Sequence, residues 1–230
     1  MKKKIVWGSF LAAIIAICLY IFISFFGNPI KKYTVSRELL TKLEEKHDEQ
    51  FTLVKSYYEW KTGTYGGVYQ PEKNQNIQFS AVKYQSGSYS DYYPEETWLY
   101  EMENELIPKA KEIFFDYDQV KASTVWGIGN DEVKEGRIPN YKDISNGDAL
   151  QIIIRGKVAY TDVNKQDVEQ RIFTLVQFLK EKSNTVGIMV AFDNPEETAT
   201  NNEDGFYNIT GQNTRDINNV SDIKKYLIEL

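Results

Sequence analysis

The chain of 230 residues contains a single cysteine, Cys18, and a single histidine, His47. One cysteine excludes an intrachain disulfide, and one histidine leaves a zinc site of the Cys/His kind short of ligands. The sequence has no Walker-type Gly-Lys-Ser/Thr motif and no Gly-x-Ser-x-Gly elbow. Its formal net charge of −6 opposes binding to nucleic acid phosphates. These absences argue against disulfide-stapled, zinc-dependent, nucleotide-hydrolysing and nucleic-acid-binding proteins.

A long apolar run follows the N-terminal Lys2–Lys4 cluster. The uncharged residues Ile5–Phe26 span about 33 Å as a helix, enough to cross a bilayer core of about 30 Å. A cleaved secretory signal has a shorter apolar core that ends in small residues, whereas this run ends in Ser24-Phe25-Phe26. We therefore predict an uncleaved signal anchor, residues 1–28, that contacts the lipid bilayer through residues 5–26.

Cys18 lies deep inside this run. A bacterial lipobox places Leu three positions before the cysteine and Gly or Ala directly before it, but this chain has Ile15 and Ile17 there. Cys18 is therefore interpreted as a small apolar residue of the membrane helix. The lysines at the N-terminus favour a cytoplasmic N-terminus, with the remaining chain outside the cell membrane.

The rest of the chain predicts an α+β fold in two parts. Residues 31–92 read as an α-β-β-β subdomain, in which a helix carrying Val35, Leu39, Leu40 and Leu43 precedes an antiparallel meander. The predicted strands of this meander are Phe51–Trp60, Thr64–Gln70 and Ile77–Tyr84, and a linker follows them.

Residues 93–230 read as a second α+β subdomain. Its first helix begins near Glu95, carries an apolar stripe at four-residue spacing, and should kink or split at Pro108. A later helix is capped by Asn164 or Asp162, and a terminal helix is capped by Ser221. The predicted strands are Gln119–Trp126, residues 150–160, Thr185–Phe192 and residues 206–210.

The segment GNPIKKYTVSRELLTKLEEKHDEQFTLVKSYYEWKTGTYGGVYQ ends a membrane helix at Gly-Asn-Pro and carries Tyr58, Lys61 and Tyr65 on a strand pair. It resembles the YfjL-like family of membrane-anchored, Bacillus-type Gram-positive proteins of unknown function, over roughly residues 1–90. More loosely, it is similar to PepSY-like helix-plus-meander domains. The resemblance implies a cell-envelope location and an α+β fold, and it transfers no catalytic residue. The PepSY likeness implies a protease-inhibiting or signal-modulating module.

Several polar residues are candidates for chemistry. His47 ends the first helix among charged residues, so we expect it at the surface, where it interacts with the helix dipole. The Gly-x-Gly at Gly127 is expected to form a loop turn rather than a phosphate cradle. The acidic loop Asp193–Gly205 has the oxygen ligands for calcium but no EF-hand spacing, so a calcium site and a solvated hairpin loop both stay open.

Paired carboxylates suggest an alternative enzymatic function. Glu101 with Glu105, and Asp116 with Asp118, would suit an envelope hydrolase if they faced each other across a cleft. With 33 acidic residues in the chain, such pairs also arise by chance. We expect no catalytic, cofactor-binding or metal-binding residue.

The most suggestive feature is the concentration of aromatic residues between Phe51 and Tyr100. Tyrosine and tryptophan suit binding interfaces, because each has an apolar body and a polar tip. They are also common in antiparallel strands, so ordinary packing is the competing interpretation. We predict a non-enzymatic docking or regulatory module that meets an envelope protein or peptide near the membrane; the alternatives are the hydrolase and a structural spacer. The predicted partner-binding residues are Tyr58, Trp60, Tyr65 and Tyr69.

Overall fold

A computed structural model of the chain describes residues 14–18, 20–125, 127–133, 136–145, 148–156, 164–183, 185–193 and 203–229. The chain divides into two compact units, Met1–Tyr93 and Pro94–Leu230. Each unit has its own sheet, and both contain helices and strands, so the fold belongs to the α+β class.

Unit 1 starts with an apolar helix, described at residues 14–18 and 20–26. Its large apolar side chains, such as Tyr20 and Phe26, are exposed to the surroundings rather than packed in the protein. By length and composition, the helical stretch Ile14–His47 is able to cross a membrane. The stretch is interrupted at Gly27 and Asn28, after which helix α1, Pro29–His47, begins. The predicted break at Gly-Asn-Pro is therefore confirmed.

Helix α1 covers one face of a four-stranded sheet. Its buried side chains recur every four residues at Val35, Leu39, Leu43 and His47, as an amphipathic helix requires. The strands follow in simple order and all pair antiparallel. They are β1, Phe51–Glu59; β2, Thr64–Pro71; β3, Phe79–Lys83; and β4, Tyr89–Asp91.

The predicted meander is thus confirmed, and β4 extends it. The predicted linker is thus wrong where β4 lies; this strand has only three residues and follows Ser86-Gly87-Ser88, a sequence typical of a turn. Under α1 the core of unit 1 is mainly aromatic. Phe51, Phe79 and Tyr93 pack with ring centroids 4.8 to 5.4 Å apart. Packing therefore accounts for part of the aromatic concentration.

Unit 2 contains a five-stranded sheet in the order β5-β6-β7-β8-β9. Strands β6 and β7 are parallel and the other neighbours are antiparallel. A parallel pair needs a crossover connection, which the helix Lys165–Lys182, α5, supplies. The strands are β5, Gln119–Thr124; β6, Leu150–Gly156; β7, Val186–Asp193; β8, Glu203–Ile209; and β9, Leu227–Glu229.

The helices of unit 2 follow their predicted patterns. The stripe of Trp98, Met102, Leu106, Ala110 and Phe114 is almost completely buried. Just before Pro108 the helix divides, as expected, because proline cannot donate the hydrogen bond that would continue it. The side chain of Asn164 caps α5 by accepting a hydrogen bond from the backbone of Asp167. The helices are α2, Tyr93–Glu105; α3, Ile107–Ile113; α4, Gly129–Glu132; and α5, Lys165–Lys182.

The C-terminus differs from its prediction. Instead of an α-helix capped by Ser221, residues Val220–Tyr226 form a 3-10 helix that begins after Asn219. The last residues then form β9, which pairs with β8 at the edge of the sheet. The pairing partner is distant in sequence, and this long-range contact overrides the local helical pattern of SDIKKYLIEL.

Candidate functional site

The connection between the apolar helix and α1 is the most constrained feature of unit 1. Gly27 has a φ of +73°, a conformation that residues with a side chain rarely adopt. Asn28 then caps α1, since its side-chain oxygen accepts hydrogen bonds from the backbone of Ile30 and Lys31 at 2.9 and 3.2 Å. The junction is therefore a defined turn rather than an open linker.

Two tyrosines of the sheet hold this turn. The ring of Tyr58 packs so closely on Gly27 that an added Cβ would lie 2.6 Å from it. The Tyr65 hydroxyl accepts a hydrogen bond of 3.0 Å from the backbone N–H of Asn28. The two tyrosine rings pack together with centroids 4.7 Å apart. We call Gly27, Asn28, Tyr58 and Tyr65 the junction clamp.

The lysine that follows the cap strengthens this arrangement. The ammonium group of Lys31 lies over the Tyr65 ring, 4.8 Å from the ring centroid. Such a cation–π contact adds roughly 0.5 to 1 kcal/mol at an exposed site. The clamp thus combines a backbone hydrogen bond, ring packing and a cation–π contact within a few residues of the apolar helix.

The predicted docking residues do not form an open face. Tyr58 and Tyr65 are direct cross-strand partners, and Tyr69 follows four residues later, so these three share one side of the sheet. That side is the one covered by α1. Tyr69 is 0% exposed, and its hydroxyl donates a 2.8 Å hydrogen bond to the Ser36 carbonyl of α1. The ring of Tyr69 thus lies beneath α1 and contributes to packing, and its role in docking stays a prediction.

Trp60 has a different environment from the other three. It lies just beyond β1, at the turn into β2, and it is 54% exposed. Its ring centroid is 5.6 Å from that of Phe25 in the apolar helix. Of the four predicted residues, Trp60 offers the most accessible surface, and that surface adjoins the apolar helix.

His47 is not the surface residue that the sequence predicts. Its side chain is only 1% exposed, and its Nε2 atom lies 3.1 Å from Asp91 Oδ1. Lys46 approaches the other carboxylate oxygen of Asp91 at 2.7 Å. The four-residue spacing of Val35, Leu39 and Leu43 places His47 on the buried face, a signal that its charged neighbours in KHDEQ masked.

The electrostatics of this cluster favour a charged Asp91. Burial by itself would raise the pKa of the Asp91 carboxyl. The hydrogen bonds from His47 and Lys46 outweigh that effect and hold the Asp91 pKa below its ordinary value. The cluster joins the last turn of α1 to the edge strand β4, so its position suits a structural tie between the two elements.

The Gly-x-Gly segment forms a turn, as expected, and its backbone also binds the carboxyl group of Glu95. The Oε1 atom of Glu95, at the start of α2, accepts hydrogen bonds from the backbone of Gly127 and Gly129 at 2.8 and 3.0 Å. Glu95 is completely buried. The internal carboxylate thus occupies the place that an external phosphate would need.

The first carboxylate pair is engaged in fixing a loop. Glu101 accepts a hydrogen bond from the backbone of Tyr141, and Glu105 accepts one from the Tyr141 hydroxyl and a charged one from Lys142. Burial raises the pKa of Glu101, while Lys142 lowers that of Glu105. Two carboxyl groups, one with a raised and one with a lowered pKa, would suit acid–base chemistry. Here, however, their hydrogen bonds connect Tyr141 to α2.

Among the described residues, the remaining acid candidates do not gather into a site. Asp116 forms an ion pair with Arg171, which lowers the Asp116 pKa. Most of the acidic loop Asp193–Gly205 lies outside the described residues, so the calcium hypothesis stays a prediction. Within the described ranges, no group of three or more His, Cys, Asp or Glu residues is placed to hold a metal ion.

The junction clamp predicts a specific sensitivity to substitution at Gly27. Gly27→Ala should lower the melting temperature of the full-length protein in detergent more than Gly87→Ala does. Both residues have positive φ, so both changes carry a backbone cost of about 1–2 kcal/mol, but an added Cβ meets Tyr58 only at position 27. Equal losses for the two variants would contradict close packing at the junction.

The buried cluster predicts a pH dependence of stability. Asp91→Asn should lower the free energy of unfolding at pH 7 by about 3 kcal/mol, since it leaves His47 and Lys46 without their charged partner. Because the folded protein depresses the Asp91 pKa, the wild-type advantage should persist above about pH 5 and shrink below about pH 4. Urea unfolding across this range measures it, with the exposed Asp48→Asn as control. An advantage that grows as the pH falls would contradict the assignment.

One of the comparisons with known proteins concerns unit 1. Residues 2–89 match the family model described as YfjL-like, N-terminal domain. A crystal structure of a DUF5037 family protein from Ruminococcus gnavus ATCC 29149 is similar at 11% sequence identity and a TM-score of 0.39, and the match covers 84% of this chain and 98% of that one. No curated protein sequence matches the chain. The resemblance of residues 1–90 to the YfjL-like family is thereby confirmed for residues 2–89, which match the N-terminal domain of that family, a family of unknown function.

Proposed function

We propose that the chain is a single-pass membrane protein that holds a non-enzymatic docking module outside the membrane, in a fixed orientation. The observation that carries the proposal is the junction clamp. A helix whose apolar side chains are exposed to the surroundings leads, through two residues held by Tyr58 and Tyr65, directly into a folded unit. A flexible tether would need none of these contacts. Such contacts are expected where a protein must hold its folded unit in one orientation relative to the membrane helix.

The partner of this module is an envelope protein or peptide. The side of the first sheet that faces away from α1 supplies a surface for it. Tyr57, Val68 and Val82 lie on that side. Tyr57 and Val68 are an odd number of residues from Tyr58 and Tyr65 in their strands, and Val82 pairs with Gly66, the residue after Tyr65. Their side chains are half-buried, and the half-buried Ser80 lies beside Val68 on the neighbouring strand. Aromatic residues are enriched at protein–protein interfaces, and a non-obligate interface is otherwise about as apolar as the rest of a protein surface.

Membrane anchoring and sidedness are tested on the full-length chain in intact cells. The protein should stay in the membrane after carbonate washing. Its measured mass should show that the N-terminal segment, including Cys18, has not been cleaved off. In a Cys18→Ala background, Lys73→Cys should react with a membrane-impermeant maleimide added outside. Release by carbonate, or a mass that lacks the first residues, would contradict the anchor. Labelling only after lysis would contradict the orientation.

Docking is tested by crosslinking in intact cells and purification of the tagged protein. Val82→Lys places a charge on the open side of the sheet and should reduce recovery of a specific crosslinked partner several-fold. Val125→Lys is the matched control, because Val125 is an exposed valine that lies outside the first sheet, in unit 2. A partner retained by both variants would place docking elsewhere. No specific partner in the wild type would contradict the docking proposal.

A further inference from the structure

We propose that the end of the first sheet nearest the apolar helix is a second membrane contact, with Trp60 as an interfacial anchor in the lipid headgroup region. The proposal rests on the membrane anchoring proposed above. It adds that the folded unit itself, and not only its helix, touches the bilayer. The occupant of the surface around Trp60 is therefore lipid rather than a protein partner.

The contact between Trp60 and Phe25 carries the argument. Phe25 lies two residues before the junction, at the end of the apolar segment, and its side chain is exposed. Because the two ring centroids are 5.6 Å apart, lipid that surrounds Phe25 also reaches Trp60. Tryptophan is enriched at this depth of membranes, where its ring meets acyl chains and its N–H meets water.

The neighbours of Trp60 have the composition of a membrane interface. The ammonium group of Lys61 lies 5.9 Å from the centroid of the Trp60 ring, and a lysine there can extend towards lipid phosphates. The neighbouring Glu59 is acidic, and its carboxyl group accepts a hydrogen bond of 3.3 Å from the backbone of Lys61.

The second turn at this end of the sheet reinforces the surface. The turn between β3 and β4 carries the exposed Tyr84, and Gln85 donates a 3.1 Å hydrogen bond to the Thr62 carbonyl in the first turn. Lys31 and Tyr84 also line a cavity of about 270 Å³ beside these turns. The two turns thus form one continuous edge of aromatic and basic residues next to the helix.

Fluorescence quenching by spin-labelled lipids tests the proposal on the full-length protein in liposomes that contain anionic lipid. An environment-sensitive dye is placed on single cysteines: native Cys18, or Lys61→Cys, or Lys73→Cys, the last two in a Cys18→Ala background. Lys73 is the matched control. It is an exposed lysine beyond the other end of β2, a strand of eight residues and thus about 26 Å long.

Nitroxides near the lipid headgroup should quench the dye at position 61 several-fold more than the dye at position 73. Adding Trp60→Ser should reduce quenching at position 61 towards that control, whereas Trp60→Tyr should preserve it. Deep acyl-chain nitroxides should quench the dye on Cys18. Quenching at Cys18 with none at position 61 would overturn the second contact alone, while no quenching at Cys18 would overturn the anchor itself.

Discussion

One hydrogen bond determines how unit 1 meets its apolar helix: the backbone N–H of Asn28 donates to the hydroxyl of Tyr65. The group belongs to the N-cap residue of α1, and backbone donors at the start of a helix have no partner within the helix. Its acceptor belongs to the inner strand β2, so the direction of α1 is fixed by the sheet. The close packing of Tyr58 on Gly27 fixes the preceding residue in the same way. Together, these two contacts hold the apolar helix against the folded part of unit 1.

Helix α1 is held at both of its ends and along its length. At its start is the junction clamp, and at its end the ion cluster of Lys46, His47 and Asp91 joins it to β4. Between them, the hydrogen bond from Tyr69 to Ser36 and a 2.8 Å hydroxyl contact between Ser36 and Ser56 cross the interface with the sheet. Buried polar contacts with defined geometry allow fewer alternative arrangements than apolar packing alone. The contacts between α1 and the sheet therefore explain the aromatic and polar residues of unit 1 that, from the sequence alone, suggest an external partner.

Much of the fold was predictable because its signals are local. Alternation in β3, the apolar spacing of α1 and α5, and the break at Pro108 each depend on neighbours in the sequence. The C-terminal strand β9 was missed because only its pairing with β8, about twenty residues earlier, makes it a strand. Asp91 was missed for the same reason, since it meets His47 across 44 residues. Tyr58, Tyr65 and Tyr69 could be grouped from the sequence, but the side of the sheet that α1 covers depends on the tertiary fold.

We infer that the anchor and the folded unit form one rigid element. Spin labels on native Cys18 and on Lys73→Cys, measured as a distance distribution in liposomes, test this inference most directly. A single narrow distribution is expected in the otherwise wild-type protein. A clearly broader one is expected when Tyr65→Phe removes the acceptor of the Asn28 hydrogen bond and Tyr58→Ala removes the ring on Gly27. A broad distribution before either substitution would show that the junction is a flexible tether and would contradict the account.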